Sequence, residues 1–135
     1  MVTDIPTSDP EVIVEIHRNL IAKLLESPEA IEKLSGNPMQ VGIILSDPDV
    51  SLILTLDGAN TTLTQSGESD PDIDPTIQMS WETAHKFWLG NMEIMSAVFT
   101  GKVRLQGKNM DPLFRMKGVV DVARKVYSEI INDIG

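Results

Sequence analysis

The sequence has no cysteine, only two histidines and few aromatic residues, namely two Trp, one Tyr and three Phe. Without cysteine the chain has no disulfide framework, no thiol nucleophile and no thiolate-ligated metal. No segment approaches the ~20 consecutive apolar residues of a membrane-spanning helix, and residues 1–6 lack the basic and apolar regions of a secretory signal. We therefore expect one domain over residues 1–135, located in the cytoplasm.

Basic residues are also scarce, since 11 Lys and Arg face 20 Asp and Glu and give a net charge of −9. The charges are separated along the chain. Residues 37–75 contain acids and no base, whereas 102–125 are dominated by Lys and Arg. The overall charge, and the lack of aromatic residues among these bases, argue against nucleic-acid binding. The basic block 102–125 leaves open a transient contact with an anionic membrane or an acidic protein.

Apolar periodicity predicts an α+β fold. Helices begin at Asp9-Pro10 and Ser27-Pro28, where a capping residue precedes proline at the first helical position. Short apolar or alternating runs bounded by turn residues then predict strands at 39–45, 50–56, 60–65, 76–79 and 102–106. Short strands connected by turns indicate an antiparallel sheet.

Further helices occupy the second half of the chain. Ser80 predicts a helix start, a short helix ends at Thr100-Gly101, and Asp111-Pro112 opens a final helix. Gly118 is about 1 kcal/mol less favourable than Ala inside this helix and predicts a kink or a break. The apolar stripe of the final helix consists of Leu113, Met116, Val120, Ala123, Tyr127, Ile130 and Ile134.

Residues able to perform chemistry are few and scattered. The aspartates of 70–74 resemble the start of a calcium loop, but Pro75 and Trp81 stand where that loop needs Gly and Glu. His17 and His85 lie on different helices, without zinc-ligand spacing or a recognisable catalytic partner. No nucleophile elbow, phosphate loop or dinucleotide fingerprint is present. The sequence therefore predicts no catalysis, no cofactor and no metal.

Apolar residues are concentrated at 79–99, which holds both Trp, two of the three Phe and three of the seven Met. Methionine and aromatic side chains form adaptable apolar surfaces. The concentration is explained either by an ordinary core between helices and a sheet or by the wall of a pocket for an apolar ligand. Both interpretations remain open from the pattern alone.

Three stretches of local sequence, 76–80, 88–92 and 96–107, resemble the sterol carrier protein type-two domain family. That family has an alternating strand that leads into a helix ending in Gly, then a small-aromatic-Gly-Lys turn and an alternating strand closed by Gly. The helix start at 27–30 is similar to that of stand-alone prokaryotic members. The chain departs from the family pattern at Lys108, which looks like an insertion.

The resemblance implies a five-stranded, mostly antiparallel sheet with helices packed on one side, enclosing an apolar tunnel. It implies binding or transfer of fatty acyl chains, sterol-like molecules or other lipids, without catalysis. The candidate wall or lid residues are Trp81, Phe87, Trp88, Met92, Met95 and Phe99. The candidate floor residues are Val103, Leu105 and Met116.

An alternative interpretation is an interaction module. The resemblance also extends to accessory domains that support enzymes of lipid or quinone metabolism. In that case the apolar stripe of the final helix would mediate docking or formation of a homodimer.

Overall fold

The computed structural model describes residues 7–65, 73 and 75–134. Its elements confirm the predicted α+β class. In chain order they are α1 (Pro10–Leu24), α2 (Pro28–Leu34), β1 (Met39–Ser46), β2 (Val50–Leu56), a 3-10 helix (Gly58–Asn60), β3 (Thr62–Gln65), β4 (Thr76–Ser80), α3 (Trp81–Trp88), α4 (Ile94–Phe99), β5 (Val103–Gln106), α5 (Asp111–Lys117) and α6 (Val120–Ile134).

Local side-chain hydrogen bonds explain where the helices begin. The Asp9 carboxylate accepts from the Glu11 backbone N–H at 3.0 Å, which caps α1. Ser27 caps α2 by accepting from a backbone N–H within the first turn. Ser80 caps α3 by accepting from the Thr83 N–H at 3.1 Å. The predicted starts at Asp9, Ser27 and Ser80 are confirmed, and α5 begins at Asp111 as predicted, without a side-chain cap.

The five strands form one sheet in the order β3-β2-β1-β4-β5. Three of its pairings are antiparallel, but β1 and β4 run parallel. The sheet is therefore mixed and mostly antiparallel, because the chain returns after β3 to place β4 beside β1. Residues 66–72 and 74 of this return lie outside the described residues.

The parallel pairing of β1 with β4 requires a close approach at Gly42, which pairs with Thr76. A Cβ at Gly42 would lie 3.2 Å from the Thr76 hydroxyl oxygen and 3.4 Å from a methyl carbon of Ile73. Glycine therefore lets the two strands meet without displacing a side chain.

The strand predicted at 60–65 is shorter in the structure, because it begins at Thr62 after the 3-10 helix. The Thr61 hydroxyl donates to the Gly58 carbonyl at 2.7 Å and accepts from the Asp57 N–H at 2.9 Å. Gly58 has a φ of 53°, in the left-handed region that glycine favours. Residues that the alternating sequence pattern alone assigned to the strand therefore belong to the turn.

Helices cover one face of the sheet. Along β1, Val41, Ile43 and Leu45 are buried on this face, and register places Leu54, Leu52 and Val50 of β2 beside them. Burial along β2 alternates between buried and half-buried positions, as expected for a sheet with one covered face.

The final helix is broken, as Gly118 predicted, into α5 and α6. The α6 helix packs against α1 and α3. Its stripe residues Ala123, Tyr127 and Ile130 are buried in the core, while the Ile134 side chain lies outside the described residues. Ala123, Tyr127 and Ile130 are therefore not available as a dimer interface, because the chain's own helices already cover them. Leu113, Met116 and Val120 of the same stripe are half-buried, and a homodimer stays a prediction.

Candidate functional site

The candidate site lies over the β4–β5 side of the sheet. The α4 helix packs against β5, and α5 packs against β1. Because β4 lies between β1 and β5, its inward residues Ile77 and Met79 are placed between these two helices. Register places Leu105 of β5 beside Ile77, and Val103 beside Met79. These four side chains form the apolar floor of the region.

Incomplete burial distinguishes this region, which we call the open region: α4, α5, the inward residues of β4 and β5, and Met92. Most of its large apolar side chains are half-buried and pack against the core without being enclosed by it. They are Met79, Met92, Ile94, Val98, Leu105, Leu113 and Met116. Covering such a surface with another apolar molecule lowers the free energy, because it removes apolar area from water.

The methionine side chains are incompletely buried throughout the described part of the chain. None of its methionines is buried: they are half-buried at 39, 79, 92, 110 and 116 and exposed at Met95. The enclosed core is filled instead by Ile, Leu and Val. The flexible thioether side chains are therefore the ones with room to rearrange.

The predicted site residues fall into three groups. The first group is an aromatic cluster, which brings together residues of α1, α3 and α6: His17, Trp81, His85, Phe87, Trp88 and Tyr127. Trp81 is fully buried there, and its indole N–H donates to the Thr7 carbonyl at 2.8 Å. Trp81 is thus held in the core, whereas Phe87 and Trp88 are half-buried at the margin of the cluster.

The second group borders the open region. Val103 and Leu105 face the helix-covered side of the sheet, as strand alternation predicted. Met116 lies on α5 and would form a wall of the region rather than its floor. Met92 lies in the segment between α3 and α4 and is half-buried.

The third group, Met95 and Phe99, faces away from the sheet. Their side chains are 61% and 85% exposed. The opposite side of α4 is packed instead, because Ala97 is buried and Ile94 and Val98 are half-buried against the core. The helical period of α4 therefore places Met95 and Phe99 on its outer face, although closeness in sequence had grouped them with the other candidate residues.

The two histidines belong to the aromatic cluster. The His17 Nδ1 donates to the Ile13 carbonyl at 2.8 Å, and burial lowers the pKa of His17 because it disfavours the imidazolium. The His85 Nδ1 and the Tyr127 hydroxyl form a hydrogen bond of 2.7 Å. Burial also raises the pKa of Tyr127, which keeps its hydroxyl protonated.

Arg124 connects α6 to the α3–α4 segment. Its guanidinium donates to the carbonyls of Phe87 and Met92, at 3.1 and 3.3 Å. It also lies over the Phe87 ring, 5.1 Å from the centroid. Arg115 similarly donates to the Asn37 carbonyl at 2.7 Å. These two bases therefore bond backbone carbonyls of other segments of the chain.

Sequence reasoning omitted several members of the site. Met79, Ile94, Val98 and Leu113 are half-buried in the open region but were not among the candidate residues. The spacing of Ile94 and Val98, four residues apart on one helix, was a usable signal. The His85–Tyr127 pair had no such signal, because it joins two helices that are distant in sequence.

Within the described ranges, no group of three or more His, Cys, Asp or Glu is arranged to hold a metal ion. Asp70, Asp72 and Asp74, whose sequence context does not fit a calcium loop, lie outside those ranges. Among the helices of the described residues, none is both long and apolar enough to cross a bilayer.

Solved structures show which folds this one resembles. A crystal structure of sterol carrier protein 2 matches with a TM-score of 0.63 at 17% identity, covering 84% of this chain and 93% of that one. A structure named UbiJ-SCP2 ubiquinone synthesis protein matches with the same TM-score and identity, covering 84% and 96%. At these identities the likeness concerns the fold.

A larger enzyme contains a similar region. The sec-alkyl sulfatase PisA1, in a double mutant form, matches with a TM-score of 0.56 at 21% identity. The match covers 64% of this chain but only 14% of the sulfatase chain. No curated protein sequence matches at a significant level. The model of the SCP-2 sterol transfer family, however, matches residues 18–121, most of the chain. The chain therefore belongs to the SCP-2 sterol transfer family.

Proposed function

We propose that this protein binds or transfers an apolar, lipid-like ligand in the open region and catalyses no reaction. The observation that carries the proposal is the half-burial of the apolar side chains between α4, α5 and the sheet. Family membership supports lipid binding in general. Fatty acyl chains, sterols and related lipids all fit this chemistry.

The driving force would be burial of apolar surface from both partners. Each ligand methylene removed from water contributes about 0.8 kcal/mol, and the half-buried side chains of the site contribute as they become covered. Methionines at 79, 92 and 116 would adapt their rotamers to ligands of different shape. We therefore expect broad preference among apolar ligands rather than strict specificity.

Extraction followed by mass spectrometry tests the proposal directly. The purified protein is denatured in organic solvent, and released lipids are identified against a mock purification. The delipidated protein is then titrated with a fluorescent fatty acid, and unlabelled fatty acids and sterols compete for the probe. Failure to release any lipid, together with failure to bind the probe, would refute the proposal.

A matched pair of variants locates the site. Leu105 and Leu63 are both half-buried on the helix-covered face, but they lie on opposite edge strands, β5 and β3. We expect Leu105→Ser to weaken probe binding about tenfold, since it loses apolar contact with the ligand. Leu63→Ser should leave probe affinity unchanged. Equal effects of the two substitutions would place the site elsewhere.

We propose as a second function that the chain supports an enzyme of lipid or quinone metabolism. Its support is the likeness to the ubiquinone synthesis protein and to a region of the alkylsulfatase. A short-chain ubiquinone added to the displacement assay tests for a quinone ligand. Sedimentation over a range of concentrations tests for a homodimer, which would need a surface other than the buried stripe of α6.

A further inference from the structure

The two edges of the sheet, β3 and β5, differ in how open they are. Among the described strands, β3 pairs with β2 alone, and its residues Thr62, Thr64 and Gln65 are exposed. At the other edge only 2% of Val103 in β5 is exposed. A free edge strand presents backbone N–H and C=O groups that can pair with a further strand. The β3 edge is therefore the one that can receive such a strand.

The hydrogen bonds of the sheet determine which residues of β3 present these groups. In an extended strand the N–H and C=O of one residue point to the same side, and successive residues alternate between the two sides. The Gly42 N–H donates to the Pro75 carbonyl at 3.0 Å, so the backbone groups of Gly42 face β4. Those of its neighbours Val41 and Ile43 therefore face β2.

The same alternation continues through β2 to β3. The residue of β2 that pairs with Ile43 faces back to β1, so the next residue, Ile53, faces β3. Ile53 pairs with Thr64, whose backbone groups therefore bond β2. Leu63 and Gln65, on either side of Thr64, consequently direct their N–H and C=O groups off the edge of the sheet.

The β3 strand lacks the features that usually prevent a free edge from pairing. Its residues, Thr-Leu-Thr-Gln, include no charged side chain and no proline. Its register with β2 is continuous from Thr62 to Gln65, so no bulge twists the edge away. Nothing in the strand itself therefore opposes the addition of another strand.

Carboxylates lie near both ends of this edge. Asp57 precedes the 3-10 helix that leads into β3. Exposed Asp49 lies near the other end, because Gln65 pairs with Leu52, three residues after Asp49. Residues 37–75 contain no Lys or Arg, and the ion pairs between described residues involve neither carboxylate. The ends of the edge are therefore negatively charged, while its centre is neutral.

We propose that the β3 edge binds an extended, basic segment of a partner protein, which joins the sheet as a sixth strand. Leu63 and Gln65 would exchange backbone hydrogen bonds with this segment. Lys or Arg at the two ends of the segment would face Asp49 and Asp57. A second copy of the chain is disfavoured, because antiparallel pairing of two β3 strands would bring the Asp57 end of one copy to the Asp49 end of the other.

Side-chain alternation defines the segment that would fit. Residues bonded to Leu63 and Gln65 would direct their side chains to the helix-covered face, where Leu63 is half-buried, so apolar residues suit these positions. The residue between them would lie beside Thr64 on the uncovered face, where threonine is a favourable cross-strand partner. The edge therefore fits an alternating apolar and polar segment that has a base at each end.

This inference goes beyond the proposed function, because it adds a protein partner at a separate surface. The β3 edge and the β5 edge, which borders the open region, are on opposite sides of the sheet. Binding at β3 therefore does not depend on the ligand site, and the two proposals are tested by separate measurements.

Titration of the full chain with a designed peptide tests the docking. The probe is the blocked peptide Lys-Val-Thr-Val-Thr-Val-Lys, and NMR follows the backbone amides of the isotope-labelled protein. We expect saturable binding that weakens in high salt because the charges are screened. Hydrogen exchange at Leu63 and Gln65 should slow about tenfold with the peptide at ten times its Kd. Exchange at Thr62 and Thr64, which already bond β2, should change much less.

Three further peptides separate backbone pairing from attraction between charges. N-methylation of the valines removes the donors that would face β3 and should abolish binding. N-methylation of the threonines, whose donors would face solvent, should leave binding intact. Replacing both terminal lysines by glutamate should weaken binding about tenfold, since two attractive pairs become repulsive.

Two variants with matched controls locate the contact. The Gln65 N–H faces away from β2, so Gln65→Pro keeps the β2–β3 bonds but removes an edge donor. It should weaken peptide binding at least about fivefold, whereas Gln65→Ala should leave it unchanged. Asp49→Lys should weaken binding about fivefold, because repulsion replaces an attractive pair. Its control is Glu129→Lys, which reverses an exposed charge on α6 and should have no effect.

Several outcomes would overturn the docking. They are absence of saturable binding, equal binding of the valine-methylated peptide, and protection that appears on β5 instead of β3. Sedimentation that shows a dimer which the peptide dissociates would assign the edge to a second copy, and this also overturns the proposal. Peptide binding by a protein that binds no fluorescent fatty acid would refute the ligand site while leaving the β3 docking intact.

Discussion

Two sides of the helix-covered face, one under α1 and the other under α4 and α5, differ in how completely their apolar residues are enclosed. Under α1, the inward side chains of β2 are buried, and they are Leu and Val. Together with the aromatic cluster they form what we call the closed side. Under α4 and α5, the inward residues Met79 and Leu105 remain half-buried. The comparison separates two uses of apolar surface within one layer. The first side stabilises the fold, and the second is where we propose that a ligand binds.

The largest expected effect is a difference in the loss of stability when one leucine on each side is truncated. Leu52→Ala should lower the free energy of unfolding by about 3 kcal/mol, because it leaves a cavity in a closed core. Leu105→Ala should lower it by about 1 kcal/mol, because a half-buried side chain loses fewer contacts on truncation. Denaturant unfolding of delipidated protein measures both values. Equal losses would mean that the two sides are packed alike.

The next effect concerns the aromatic cluster, which belongs to the closed side. Tyr127→Phe removes the hydroxyl that bonds His85 and should lower the free energy of unfolding by about 2 kcal/mol. Ser128→Ala is the matched control, because it removes an exposed hydroxyl from the next residue of α6. We expect the control to change stability by less than about 0.5 kcal/mol. A similar effect of both substitutions would show that the buried His85–Tyr127 hydrogen bond contributes no more to stability than an exposed hydroxyl does.

Arg124 joins the closed side to the α3–α4 segment that leads into the open region. Arg124→Met should lower the free energy of unfolding by about 1 kcal/mol, since a half-buried guanidinium loses two carbonyl partners and a ring contact. Exposed Lys125 supplies the control Lys125→Met, which should have no measurable effect. Hydrogen exchange should also accelerate at 89–93 in the Arg124 variant alone. If hydrogen exchange at 89–93 stays unchanged in this variant, Arg124 does not stabilise the α3–α4 segment.

The smallest effect is a dependence on pH. The pKa of His17 is lowered in the folded state, so above the ordinary value of 6.5 its contribution to stability is fully present. As the pH falls below 6.5 the unfolded chain takes up a proton that the folded chain excludes, and stability decreases. The loss should not exceed about 1.4 kcal/mol per pH unit for this group.

Denaturant unfolding between neutral and mildly acidic pH measures this slope. His17→Phe should flatten it, because the variant has no group at this position to protonate. A slope that is unchanged in the variant would assign the pH dependence to other groups. Retention of probe binding across the same pH range would show that the dependence belongs to the closed side.

Local interactions were the predictable part of this fold. Asp9, Ser27 and Ser80 cap helices through bonds to residues two or three positions away, so short sequence patterns identify them. Gly101 ends α4 for the same reason. The inward orientation of Val103 and Leu105 follows from alternation along one strand.

Interactions between distant segments were not predictable from the same patterns. The parallel pairing of β1 and β4 depends on the path of the chain between them. The bond from Trp81 to Thr7 and the contacts of Arg124 with the α3–α4 segment join residues far apart in sequence. In the site itself, the apolar residues at 79–99 were recognised as a group. Their division among a buried cluster, an open region and an exposed face required the directions of α3 and α4.

The parallel pairing at Gly42 has a consequence for how the protein folds and relaxes. Antiparallel pairing unites β1, β2 and β3 through short connections, whereas the antiparallel pairing of β4 with β5 closes over the longer segment that contains α3 and α4. The hydrogen bonds between these two units in the sheet run only along the β1–β4 seam of the described strands. Loop-closure entropy opposes the seam and the β4–β5 pairing to a similar extent, and both more than the pairings within β1, β2 and β3, so we expect that unit to form first. The same seam would let the β4–β5 unit fluctuate while the hydrogen bonds of its neighbour stay intact.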